Sequence, residues 1–121
     1  MTQKYIIGDI VEYDNKIMVI KEPRDGSHFD LSCPKECLVY CFVGVDEIKP
    51  VRITPEILNK NEWEYDGATW IFKKGNISIF ILLDDKTYAA HLLGVRVLEF
   101  HFVHQLQHLL FGLGINHGME V

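Results

Sequence analysis

HFVHQLQHLLFGLG, residues 101–114, decides how the rest of the chain is read, because its apolar residues recur at a helical period whereas the segments before it look like strands. At ~100° per residue, Phe102, Val103, Leu106, Leu109, Leu110 and Leu113 fall within an arc of about 120°. His101, His104, Gln105 and His108 lie on the other side within roughly 100°, and Phe111 is the one apolar residue among them. The pattern predicts a helix over about 102–112 with a dry leucine face and a wet imidazole face. Gly114 suits the left-handed residue of a Schellman end, which would bring Ile115 back onto Leu110.

The wet face raises the question of chemistry. Histidines at i and i+4 rise about one turn apart and can converge on one ion, so His104 and His108 form a candidate metal pair. His101 cannot join them, since seven helical residues cover ~10.5 Å and zinc–nitrogen bonds are about 2 Å. Gln105 stands where the zinc-protease motif His-Glu-x-x-His has its general base, and an amide cannot take a proton from water. Further ligands would have to come from His117 or a cysteine. Packing and capping account for the helix without a metal, so the leading reading makes His104, Gln105, His108 and Phe111 a partner-binding surface, with no cofactor and no catalytic residue.

Before this helix, turn dipeptides alternate with strand-forming runs, which predicts an antiparallel meander from residue 62. Asp66-Gly67 suits a two-residue type I′ turn that would place Trp63 opposite Trp70. Gly75-Asn76 and Asp84-Asp85-Lys86 mark the next turns, and Gly94 a bulge or bend before Val95. Thr54-Pro55-Glu56 reads as the cap and first turn of a short helix ending by Asn61.

At the N-terminal end, Gly8 to Ile20 reads as a hairpin about Asp14-Asn15-Lys16, a pattern common in small SH3-like barrels. Residues 23–36, punctuated by Pro23, Gly26, Ser27 and Pro34, are expected to be an irregular excursion. Cys37-Leu38-Val39-Tyr40-Cys41-Phe42-Val43 is continuously apolar and is expected to be a strand buried on both faces.

Composition excludes several classes. The chain has 121 residues, 48% hydrophobic and 24% charged, the balance of one globular domain. Its longest apolar run, Ile77 to Leu83, is far short of the roughly 20 residues of a membrane helix. The start lacks a signal-peptide layout, so a cytoplasmic location is expected. A net charge of −5, with Lys73-Lys74 the only adjacent basic pair, disfavours nucleic acid as a partner.

The three cysteines, Cys33, Cys37 and Cys41, match neither zinc-ribbon nor iron–sulfur spacing. On a strand, Cys37 and Cys41 would be about 13 Å apart, too far for one ion. All three are expected to be buried small apolar side chains. Glu62, Glu64 and Asp66 read as a solvated strand face and Asp84-Asp85 as turn chemistry. No phosphate-binding glycine loop or nucleophile elbow occurs.

Three anchors together carry a resemblance: Gly8-Asp9-x-Val11-x-Tyr13, then Ile53-Thr54-Pro55-Glu56-Ile57-Leu58, then Val103-His104-Gln105-Leu106-Gln107-His108-Leu109. In their order the chain resembles a set of short uncharacterised proteins encoded in Bacteroidetes genomes, often among prophage and mobile-element genes. The resemblance implies a context rather than an activity: small accessory, assembly or host-interaction proteins. Of the histidines, only His104 lies firmly within that pattern.

The reading is therefore a single α+β domain over 1–121, a curved antiparallel sheet, barrel-like at its N-terminal end, carrying one short helix and a C-terminal amphipathic helix. The expected function is a non-enzymatic binding or assembly module with a protein partner, including a second copy of itself. The competing reading is a metal-binding protein or metal-dependent hydrolase built on His104 and His108.

Overall fold

The computed structural model describes residues 5–69, 71–82, 84 and 86–121. Among the described residues, two five-stranded antiparallel sheets and two α-helices make up the fold, so the α+β expectation holds. The first sheet has the order β4-β3-β2-β1-β5, with β1 at Ile10–Tyr13, β2 at Lys16–Asp25, β3 at His28–Cys33, β4 at Leu38–Gly44 and β5 at Lys49–Pro50. A 3-10 turn, Val45–Glu47, precedes β5, which returns to pair with β1. Val11, Met18, Ile20, Phe29, Leu31 and Val43 form this sheet's own core cluster.

That hairpin turns where expected, with Asp14 and Asn15 at φ of 53° and 59°, the left-handed pair of a type I′ turn. The excursion expected over 23–36 is instead mostly sheet. Strand β2 runs on to Asp25, turns at Gly26-Ser27 and returns as β3. Register shifts on both sides of Pro23 let an irregular, proline-containing strand stay paired. Asp25 Oδ1 closes the turn by accepting the Ser27 amide at 2.8 Å.

The burial expected of residues 37–43 is also overturned. Cys37 sits in a turn at φ 53°, and β4 is an edge strand with Leu38, Val39 and Phe42 at 43%, 50% and 60% exposure. Helix α2 packs between β1 of this sheet and β10 of the other, away from β4. A bulge around Phe42 (φ 55°) turns its amide onto Asp30 Oδ1 at 3.1 Å, and Arg24 Nη2 holds the other oxygen of Asp30 at 2.6 Å. Cys33 is buried, but Cys37 and Cys41 are exposed, which corrects the expectation of three buried thiols.

The second sheet is the meander, order β10-β9-β8-β7-β6, comprising β6 at Glu64–Asp66, β7 at Ile71–Lys74, β8 at Ile77–Ile81, β9 at Tyr88–Leu92 and β10 at Val95–Phe100. Its first hairpin closes at Asp66↔Ile71, too wide for a two-residue turn, and Asp66 Oδ1 accepts the Ala68 amide at 3.0 Å instead. Trp70 lies outside the described residues. In this register Trp63 belongs opposite Lys74, whose ammonium stands 5.8 Å from its ring centroid. Leu93 and Gly94, at φ 51° and 84°, form a tight hairpin turn, and the bulge falls later, between Arg96 and Leu98.

Helix α1, Pro55–Lys60, is capped as its sequence dictates, with Thr54 Oγ1 accepting the Ile57 amide at 3.3 Å. Helix α2 spans Val103–Gly112. It ends in the expected Schellman geometry: Gly114 is at φ 71° and the Ile115 amide donates to the Leu110 carbonyl at 2.9 Å. Val103, Leu106 and Leu110 enter the main core with Phe72, Ile79 and Phe100 of the meander, Leu58 of α1, and Ile10 of the first sheet. The helix thus lies where the two sheets meet.

Candidate functional site: a buried carboxylate, amide and imidazole cluster

The residues on which function was expected do not share one wet face. His104 is only 5% exposed and Gln107 is fully buried, whereas Gln105 and His108 are half-buried and Phe111 is 59% exposed. Val103, Leu106 and Leu110 of the expected dry arc are buried and Leu113 is exposed, and the helix is covered on two sides. One side meets the meander, and the other meets the segment Tyr5 to Ile10 that leads into β1. This corrects the expectation that the imidazoles face solvent.

That leading segment is shaped by Gly8. At φ 95° it takes a conformation that L side chains rarely adopt, and a Cβ there would stand 3.1 Å from Nε2 of His117. The bend lets Gly8 donate to the Ile20 carbonyl at 2.8 Å and Asp9 accept from the Ile20 amide at 2.9 Å through its own carbonyl. The Asp9 side chain then points inward, fully buried. Its Oδ2 accepts the Ile6 amide at 2.9 Å and lies 2.6 Å from Nε2 of His108.

Gln107 completes the attachment. Its Oε1 accepts the Ile10 amide at 2.8 Å, and its Nε2 donates to the Gly8 carbonyl at 2.8 Å and the His117 carbonyl at 2.9 Å. One amide therefore satisfies three backbone groups that neither a helix nor a sheet pairs, which is the condition for burying them. His117 bridges outward, with Nε2 3.2 Å from the Ile7 carbonyl and its ring 5.0 Å from that of Phe111. Gln105 is occupied by its own helix end, its Oε1 accepting the amides of His101 and Phe102 at 2.8 and 3.0 Å. His101 is drawn away to the meander, where its Nε2 meets Thr87 Oγ1 at 3.1 Å.

Electrostatics follow from burial. Desolvation pushes the Asp9 carboxyl above its usual range, against the opposing pull of the Ile6 amide and His108. Desolvation lowers His104 to about 4, and the neighbouring His108 adds to that shift. His104 is therefore neutral at pH 7, enclosed by the rings of Tyr5 at 5.1 Å and Phe102 at 6.0 Å. Among the described residues, Asp9 Oδ1 and His104 Nδ1 have no hydrogen-bond partner.

For metal chemistry, the His104 and His108 rings do come together, edge to face at 5.6 Å, but Nε2 of His108 is engaged by Asp9. No group of three or more His, Cys, Asp or Glu able to hold a metal occurs among the described residues. What the cluster can do is fix a histidine tautomer and clamp the segment before β1 to α2. Asp9, Gln107, Tyr5 and His117 were not singled out together by sequence, because these contacts join positions up to 110 residues apart.

Compared with protein-family models, curated proteins and solved structures, the chain matches none. Its class therefore rests on the fold just described, an α+β domain of two antiparallel sheets clamped by a C-terminal helix.

Proposed function

We propose that the protein is a non-enzymatic binding module of phage or mobile-element origin, acting in the cytoplasm on a protein partner through the exposed face and edge of β4. The observation that carries this reading is a seven-residue strand without a single charge, LVYCFVG, standing at a sheet edge with Leu38, Val39 and Phe42 exposed. Edge strands of proteins that stay alone are ordinarily guarded by charge or proline. Here the bulge at Phe42 and Arg24, 5.7 Å from the Phe42 ring centroid, guard the edge, yet Leu38, Val39 and Phe42 stay exposed. Contiguous exposed apolar surface marks interaction sites.

Phe111 supports the same reading at the far end of α2, where it and Ile7 flank His117 with 59% and 60% exposure. Of the residues first considered for partner contact, Phe111 keeps that role. His108 instead serves the clamp, His104 is buried beside it, and Gln105 caps its own helix. None of the three is presented to solvent as a free ligand pair, and this is what favours binding over metal-dependent hydrolysis.

Sedimentation velocity over a range of concentrations tests the proposal, beginning with self-association. The wild type is expected to associate and Val39→Lys/Phe42→Lys to remain monomeric with an unchanged fold. Stoichiometric zinc in untagged protein, lost in His104→Ala, would replace this reading with the metal-dependent one.

A further inference from the structure

The exposure of β4 reads the same in both directions from Tyr40. Leu38 and Val39 on one side and Cys41 and Phe42 on the other are exposed, and Tyr40 between them is half-buried, its ring 5.5 Å from that of Tyr13. An isologous contact requires this pattern, because under a twofold axis residue i meets residue j wherever j meets i. With the axis at Tyr40, an antiparallel copy sets Val39 opposite Cys41 and Leu38 opposite Phe42. Every exposed side chain of the stretch then meets another uncharged one.

Charge also favours a like partner. No residue of β4 is charged, and two ion pairs that border it are closed within the chain, Arg24 with Asp30 at 2.6 Å and Lys16 with Glu36 at 2.9 Å. Two copies of a chain with net charge −5 repel one another, and an uncharged strand is where they approach with least opposition. Strand β4 runs antiparallel to β3, so a twofold-related copy continues the antiparallel order from one sheet into the next. Both copies offer the same row of main-chain donors and acceptors, which is how an added strand gains its affinity. Phe42 is held at φ 55°, a conformation costly for a bulky residue, and the bulge there splays it out of the ladder towards the copy's Leu38.

Resting on the reading of β4 as the contact surface, we propose that its partner is a second copy of this chain. The two β4 strands pair antiparallel about a twofold axis at Tyr40 and join the two first sheets into one. The ladder is short, from Val39 to Cys41 of each copy, so the dimer forms at about micromolar concentration or above.

Cross-linking with a short bis-maleimide tests the geometry. In Cys37→Ser, Cys41 is the one exposed cysteine, since Cys33 is buried. In the paired copies the two Cys41 residues are diagonal neighbours ~8 Å apart, and they are expected to link. In Cys41→Ser the two remaining Cys37 residues stand ~20 Å apart along the strands, and no link is expected. Adding Val39→Lys/Phe42→Lys to Cys37→Ser should cut the link at least about tenfold, because like charges then face each other across the axis. A wild-type dimer whose Cys41 thiols do not link overturns the pairing about Tyr40 but leaves β4 as the contact surface. A Cys41 link that the two lysines do not weaken overturns both. A wild type that stays monomeric up to roughly millimolar concentration overturns the second copy as the partner.

Discussion

Nε2 of His108 lies 2.6 Å from Oδ2 of Asp9, a carboxylate with no solvent exposure that stands 99 residues earlier in the chain. The contact ties the entry to the first strand to the last helix. Because the two partners are unequally buried, removing one is not equivalent to removing the other. His108→Ala leaves a buried carboxylate with the Ile6 amide alone, whereas Asp9→Ala releases a histidine that is already one-third exposed and can be rehydrated. His108→Ala is expected to cost about 2–4 kcal/mol, Asp9→Ala about 1–2 kcal/mol, and the double variant little more than Asp9→Ala. Urea denaturation of the four proteins checks this. Additive losses would mean that the pair is not coupled.

Acid should weaken the fold through His104. Burial lowers this imidazole from 6.5 to about 4, so the folded state resists a proton that the unfolded chain accepts. Its stabilising contribution is whole above pH 6.5 and is lost progressively as pH falls to about 4, a change of about 3 kcal/mol. Asp9 acts in the opposite sense: its raised carboxyl pKa means that the folded state takes up that proton before the unfolded one, which returns some stability in acid. His104→Phe should flatten the decline between pH 6.5 and 4, read from denaturation midpoints across that range.

Gln107 is the most demanding position on α2. Replacement by Ala orphans the Ile10 amide and the Gly8 and His117 carbonyls at once. A loss of about 3–4 kcal/mol is expected, together with faster hydrogen exchange at the Ile10 amide. Gln107→Glu should not rescue it, since a carboxylate has no donor for the two carbonyls and adds a buried charge.

Gly8→Ala tests the bend before Asp9. Two costs add there, the φ of 95° and the 3.1 Å approach of the new Cβ to Nε2 of His117. The expected destabilisation is about 2 kcal/mol or more. His117→Ala in the same chain should restore only the steric part, leaving about 1 kcal/mol from the backbone. Full restoration would show that the left-handed conformation is not strained.

Local rules in the chain specified local structure well. Thr54-Pro55 started α1, Gly114 ended α2, Asp14-Asn15 turned the first hairpin and Gly75-Asn76 another in the meander, although Asp66-Gly67 did not make the two-residue turn its dipeptide indicated. Each of these depends on dihedral preferences and hydrogen bonds within a few residues. The misreadings began where a residue's partner was distant. Pro23 and Gly26 looked like loop punctuation, although pairing across Pro23↔Phe29 and Asp25↔His28 drew them into a hairpin.

Apolar periodicity, turn dipeptides and capping residues together were enough to establish the α+β class and both helices. Which surfaces became dry was a matter for the tertiary arrangement, since burial depends on what else arrives at a surface. The same seven apolar residues would be a core strand beneath a helix, but α2 packs against β1 and β10 and β4 is left at an edge. The imidazole side of α2 would be wet on an isolated helix. The segment Tyr5 to Ile10 closes over it and places Asp9 against His108, and a helical period carries no record of a contact 99 residues away.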